Sequence, residues 1–492
     1  MLVLARSIKN AFAPINRIPP EVLSLLPDYC STGKLVALTH VCRSWREVFI
    51  SRTSLWTFLD CTNLDRTRTY LERSKTSPLE IRLEKRRLDI SYDAFQLIIP
   101  HIGRLKALTL SAPPRSIIQH TKHLVSPASL LEKLEIRVRG TEAAVVEDTL
   151  FDGILQSLRE LRLSGVVTDL PWQNLPNLTT FHFRQISNNN NNISVTRLLD
   201  LFEGAPLLCE IKLVDSLPDS SNAPAERLVS LPRLRLLRIC DSSVLSVLLN
   251  HLRIPVGALV ALEFAYCDDS PQFLDWLPRS LDNLGNISQI PSIHLTYTSG
   301  VTLWFEAPSG GLSMVGTWYG EGSPPLIAEH QVLWSLNRFP ISTTESLTIA
   351  QCDVPVCPKT EESAAYQTLL LMNNIRTLTL VDCLNLPFIF ALDPNKNTSN
   401  TVVCPKLEKL VLYTQEQTDE TCTEELLEMA MERASRGAKL PTLVIDCSQE
   451  LLPEDKVSEL KSHVSHVERQ LGDEPPGWDT IPGDIGHFGW WD

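Results

Sequence analysis

The chain has 492 residues and a formal net charge of −13, with 45 Lys and Arg against 58 Asp and Glu. That balance argues against a general nucleic-acid or membrane-surface binder, both of which need a basic face. No apolar run approaches the roughly 20 residues that span a bilayer, and the length suits two or three ordinary domains or one repeat array.

The charge is uneven: residues 1–90 carry 15 basic against 9 acidic residues, and residues 401–492 carry 8 against 19. Met1 to Leu4 is broken by Arg6 and Lys9, too short for a signal-peptide core. The 12 cysteines form no paired CxxC sets. Cys352 and Cys357 lack a second pair or a His pair, so no metal site is expected and reduced, mostly buried thiols are the default.

After a tail at 1–14, the stretch Ile15 to Phe49 reads as about three short helices. Pro19-Pro20 precedes Glu21-Val22-Leu23, and Pro20 suits a first helical turn because its missing N–H has no partner there. Leu25-Leu26 follow, then a break at Ser31-Thr32-Gly33, and then Leu35, Leu38, Val41 and Trp45 three or four residues apart. Some 40 residues cannot bury this much apolar surface among themselves. Another surface must cover the surplus.

The wording Ile18-Pro19-x-Glu21-Val22-Leu23, followed by Leu38-Thr39-x-Val41-Cys42-Arg43-x-Trp45-Arg46, closely resembles an F-box. Its middle, Tyr29 to Lys34, departs from the usual Pro- and Asp-rich linker. The resemblance implies a domain at 15–60 that docks on the Skp adaptor of a Skp–cullin–F-box ubiquitin ligase, with Ile18, Pro19, Val22, Leu23, Leu26, Leu38, Val41 and Trp45 as its adaptor-binding residues. A Trp ringed by aliphatics also suits a binding hot spot on physical grounds.

Ser54 to Leu59 reads as a strand and Leu64 to Lys75 as a helix. One phrase then recurs at steps of 20 to 30 residues through most of 61–450: Leu105-x-x-Leu108-x-Leu110, Leu131-x-x-Leu134-x-Ile136, Leu158-x-x-Leu161-x-Leu163 and Leu178-x-x-Phe181-x-Phe183. It continues at Leu208, Leu234 and Leu259, and returns at Leu347, Ile375, Leu407 and Leu440; Leu79-x-Ile81-x-Leu83 opens the series. Alternation at period two gives a short strand with one face inward, and the spacing gives one strand per coil. The phrase resembles a degenerate leucine-rich repeat, completed by Cys267 and Cys383 and, at the matching offset, by Cys352. The fold class is α/β: a three-helix F-box followed by a leucine-rich-repeat-like α/β solenoid. Buried thiols in the turns account for those cysteines.

Two insertions break the series. Asn188 to Asn192 is a polar run that reads as a surface loop. About 271–344 is longer: Val301 to Phe305 and Met314 to Tyr319 read as a hairpin around Ser309-Gly310-Gly311, a turn and not a phosphate loop, since no Lys or helix start follows. Near the end, Thr421 with Glu424 reads as a capping box before a helix closed by Gly437. In 451–492 a helix from about Pro453 carries Val457, Leu460, Val464, Val467 and Leu471 as a cap, followed by an acidic tail with Trp478, Trp490 and Trp491 that is disordered or docks back.

No nucleophile elbow, Walker loop, HExxH or dinucleotide fingerprint is present. The expectation is a protein that is not an enzyme and carries no cofactor. Positions between the inward pairs hold Glu135, Arg162, His182, Lys212, Arg238 and Glu263, flanked by Arg159 and Arg235. The basic members of this column are the candidate target-binding residues, for a protein target that is acidic or phosphorylated. The resulting expectation is a substrate receptor of the kind found in the large F-box families of fungi, cytoplasmic or nuclear. Its partners are the adaptor, the cullin scaffold and an unnamed target, with no nucleic acid or membrane. The alternative is a stand-alone repeat scaffold outside any ligase.

Overall fold

Where the phrase recurs, the chain forms strands. The computed structural model describes residues 14, 18–23, 25–26, 35–84, 92–147, 149–168, 174–185, 193–215, 227–240, 245–266, 277–278, 280–297, 300–318, 333, 336–350, 363–381, 383, 385–397, 401–413, 420–446 and 454–470. The Asn run, Cys267, Cys352 and the C-terminal tryptophans lie outside these ranges. The chain divides into two units, Met1–Leu208 and Cys209–Asp492.

The first unit opens with helices α1 (Pro20–Leu23), α2 (Leu35–Leu38), α3 (Arg43–Ser51) and α4 (Leu64–Ser74). Its sheet follows: β1 (Phe58–Leu59), β2 (Leu79–Glu84), β3 (Leu105–Ala112), β4 (Lys133–Val138), β5 (Glu160–Ser164) and β6 (Thr180–Arg184). All pair in parallel, each with the next. Register sets Leu108 beside Leu134 and Leu161 beside Phe181, and all four are fully buried. Each inward side chain thus packs on its equivalent one coil away. The expected strand at Ser54 to Leu59 is shorter: Thr53–Trp56 is a 3-10 turn, because Trp56 turns inward and its Nε1 donates to the Phe49 carbonyl at 2.9 Å.

In the second unit the strands of the main sheet are β7 (Glu210–Val214), β8 (Leu236–Cys240), β9 (Leu259–Tyr266), β10 (Ser292–Tyr297), β11 (Gly300–Ala307), β12 (Gly310–Trp318), β13 (Ser346–Ala350), β14 (Thr377–Val381), β15 (Lys409–Tyr413), β16 (Thr442–Asp446) and β17 (His466–Gln470). Their order in the sheet is β7-β8-β9-β12-β11-β10-β13-β14-β15-β16-β17. Only β11 runs antiparallel to its neighbours. The β11–β12 hairpin is therefore built into the sheet between β9 and β10.

Three local expectations change here. The phrase slips by two residues at β9, where Leu237 lies beside Val260 and Ile239 beside Leu262, so Ala261 and not Glu263 stands in register with Arg238. Ala258, Val260 and Leu262 carry the inward pattern, all at most 1% exposed. Thr421 lies inside the helix Glu420–Ser435 and does not cap it. Gly437 does end that helix, with φ 73 and the Ala438 N–H bonded to the Arg433 carbonyl at 2.9 Å. Finally, the helix from 454 stops at His463, and Val467 belongs to β17. The exposed edge of β16 offers unpaired backbone groups, and pairing satisfies them better than another helical turn.

The hairpin has no spare room at its start. A Cβ on Gly310 would run into the Ala258 carbonyl oxygen, and one on Gly311, at φ 147, into the Phe305 carbonyl oxygen. Both obstacles are backbone, so neither can swing aside. Gly310→Ala is expected to lower stability by about 1–3 kcal/mol, read as a lower thermal midpoint. Gly257→Ala, whose Cβ would meet nothing nearer than 3.9 Å, should leave the midpoint in place.

Candidate protein-docking site

The two short helices α1 and α2 both pack on α3. Pro19 and Pro20 start α1, whose first bond runs from the Leu23 N–H to the Pro19 carbonyl at 2.9 Å. Leu23, Trp45 and Phe49 form the centre of this packing, with Trp45 edge-on to Phe49 at 5.7 Å between centroids. Ile18, Leu26, Leu38, Cys42, Val48 and Leu55 press around it. Arg46 ties α3 back to the α2 turn by donating from Nε to the Thr39 carbonyl at 2.9 Å.

Trp56 joins this core to α4 and the sheet. Trp56 is fully buried, meets Tyr70 of α4 edge-on at 5.0 Å and lies beneath the Arg73 guanidinium at 4.3 Å. Its donation to the Phe49 carbonyl also fills an acceptor that the end of α3 leaves open. The helices are thus clamped to α4, next to β1 and β2.

The eight residues expected to meet an adaptor divide by exposure. Leu23 and Trp45, at 3% and 6% exposed, are the interior of the unit. Ile18, Leu26 and Leu38 are half-buried. Pro19, Val22 and Val41 face solvent, the two valines at 52%. Leu25, which the sequence reading did not select, joins them at 48%. Among the described residues, then, the surplus of apolar surface is real and stays uncovered, and it sits on α1 and in the turns after α1 and α2, not on Trp45. The indole is sealed by neighbours from its own helical unit.

Residues 15–62 match the F-box-like family model. F-box domains are protein-interaction modules that bind Skp-type adaptors. A comparison with curated proteins finds no match. Among the described residues, no helix is long and apolar enough to cross a membrane.

The basic column outside the F-box-like segment is largely neutralised from within. Arg162 Nε lies 2.5 Å from Glu160, Lys212 Nζ 2.8 Å from Glu210, and Arg238 2.6 Å from Glu263. Glu135 is held between Lys133 and Arg137, and His182 is 4% exposed. Burial raises the Glu263 carboxyl above its ordinary range even though Arg238 pulls the other way. Desolvation therefore outweighs the attraction in that pair. Arg159 and Arg235 are exposed.

The buried thiols Cys61 and Cys404 are poor nucleophiles. Burial pushes Cys61 and Cys404 each up to about 12, and Cys383 donates weakly to the Val381 and Ile349 carbonyls. Asp393, Glu425 and Glu428 converge closely enough to interest a cation. The Lys396 ammonium already lies among them, 2.9 Å from Glu425 and 3.5 Å from Glu428.

Asp393 is 1% exposed, and burial first of all raises its carboxyl above the ordinary 3.8, against the Asn395 N–H and Lys396. A raised folded value means the protonated form favours folding: the contribution is full below 3.8 and is lost as pH rises through the folded value. Asp393→Asn keeps an acceptor for the Asn395 N–H and does not ionise. Its stability should match the parent in acid and gain on it as pH rises toward neutral, in denaturant titrations at each pH.

Proposed function

We propose that this chain is the substrate-recognition subunit of a Skp–cullin–F-box ubiquitin ligase. The F-box-like segment holds the Skp adaptor, the adaptor links to the cullin scaffold, and the strand-bearing units hold a protein target. The recurring parallel strands with stacked inward Leu, Ile and Phe support a leucine-rich-repeat-like solenoid as the target-holding part. The chain contributes proximity: a target kept beside the transfer machinery reacts as if at high concentration. The work takes place in the cytoplasm or nucleus, and the chain resembles the large F-box families of fungi.

One observation carries the reading. Within the segment that matches the F-box-like model, Val22 on α1, Leu25 just after it and Val41 in the turn before α3 stand about half exposed around an interior that is already full. Covering half of a Val or Leu side chain is worth about 1 kcal/mol, so three such residues with Pro19 and their half-buried neighbours make a sizeable apolar contact. The internal pairing of Arg162, Lys212 and Arg238 removes much of the electrostatic case for an acidic target, since each would have to leave a carboxylate to gain one.

The test is co-purification. Tagged full-length protein should bring down the Skp adaptor and, through it, the cullin; a version lacking residues 15–50 should bring down neither. Equal recovery of the adaptor by both would defeat the proposal.

A further inference from the structure

The inserted hairpin changes the face of the second unit's sheet that carries Arg238. Register places one row of side chains across six neighbouring strands: Ala261 beside Ser313, Ser313 beside Trp304, Trp304 beside His294, His294 beside Thr348, and Thr348 beside Thr379. Ala261 and Ser313 are buried, so the open part of the row runs from Trp304 to Thr379; at roughly 4.8 Å per strand it is about 14 Å long, the reach of about four residues of extended chain. None of its side chains is a carboxylate, ammonium or guanidinium. Formal charges stand at its margins, in the closed Arg238–Glu263 pair at one end and in Glu306, 3.9 Å from His294, at one side.

Trp304 is the large side chain on that row and is partly open, with Thr348, Thr379 and His294 partly open beside it. It comes from β11, the strand the hairpin adds. The added hairpin is tightly seated: Gly310 and Gly311 admit no Cβ, and the buried Asn286 donates from Nδ2 to the Gly311 carbonyl at 2.7 Å. Burial places the His294 imidazole below its ordinary range, so the row stays uncharged at neutral pH.

We infer that this row is where the target docks, and that it takes an extended, uncharged segment presenting an apolar residue to Trp304. The assignment rests on the receptor reading above. Hydroxyls and an indole are satisfied by peptide groups and apolar side chains, whereas a charged side chain laid across the row would lose its hydration and find no counter-charge. Trp is also among the side chains that most often carry binding energy when a partner excludes water around them. The acidic partner suggested by the basic column would need the neighbouring pairs to open; an uncharged one leaves them closed.

The probe is a random decapeptide display library, panned on the full-length protein and on Trp304→Ala and Trp304→Phe. Thermal unfolding and adaptor co-purification are followed on all three, so that loss of the fold or of adaptor binding is seen separately. Enriched peptides should be uncharged with an aromatic or aliphatic residue. Trp304→Ala should weaken the best of them by about tenfold or more, about 1.4 kcal/mol, with Trp304→Phe retaining most of the affinity. Acidic consensus sequences, enrichment indifferent to Trp304, or no enrichment because the row is already covered would each overturn the assignment. Failure of adaptor co-purification by the parent protein would instead defeat the receptor reading.

Discussion

Val22→Asp combined with Val41→Asp is expected to abolish capture of the Skp adaptor while leaving the protein folded. Both valines are 52% exposed, so a carboxylate at either place stays hydrated in the free protein. Exposed substitutions of this kind cost within about 0.5 kcal/mol of stability. In the complex the same carboxylates would be pressed against an apolar surface without a partner, at about 1–3 kcal/mol each or more. Two such penalties together weaken binding by about a hundredfold or more. A pull-down paired with a thermal melt reads both parts. A protein that melts like the parent and no longer recovers the adaptor is the expected result; unchanged recovery places the contact elsewhere.

Trp45→Ala should fail by the opposite route. The indole fills the space between Leu23 and Phe49 and is only 6% exposed, so its loss leaves a cavity that three short helices cannot close. Large aromatic-to-Ala changes in cores cost about 3–5 kcal/mol, more than α1 to α3 can spare. The expected outcome is local unfolding of residues 18–51, with rapid hydrogen exchange there and adaptor binding lost as a consequence. The strand-bearing region should keep its protection, because Trp56 closes the junction from the far side with Tyr70 and Arg73. Loss of binding with α1 to α3 still protected would show that the indole touches the adaptor directly.

These two variants show what the sequence could and could not say. The spacing of Leu35, Leu38, Val41 and Trp45 announced a small helical unit with too much apolar surface, and the match of residues 15–62 to the F-box-like model agrees with that reading. Which of those side chains turn inward was not legible, since helices of four residues make barely one turn, too little for a stripe to be read. Leu25 and Trp56 were overlooked for related reasons. One is a lone exposed Leu beside a break, and the other read as a strand residue until its bond to the Phe49 carbonyl gave it a different duty.

The strands were more legible, because alternation at period two is local and recurs. Leu134, Leu161, Phe181, Leu237, Leu378 and Leu410 all stand in the strands that the phrase predicted. What the phrase could not supply was register at β9, where Val260 and Leu262 offer a second alternating set that fits the neighbouring coil better. The closing of the basic column could have been read in part. Glu160-x-Arg162 and Glu210-x-Lys212 place acid and base two residues apart on the same side of a strand, and those pairs formed. Glu263 was expected directly beside Arg238; the slip moves it next to Cys240, and the ion pair forms on the diagonal, a long-range fact with no local signal.

The central claim is that the exposed apolar side chains of α1 and of the turns after α1 and α2, Val22, Leu25 and Val41, are covered by an adaptor. Hydrogen–deuterium exchange of the full-length protein with and without purified Skp adaptor tests it most directly. Protection should appear in residues 18–26 and 35–45, with the strands of both units unchanged. An adaptor that leaves those segments exchanging at their free rates would contradict the account.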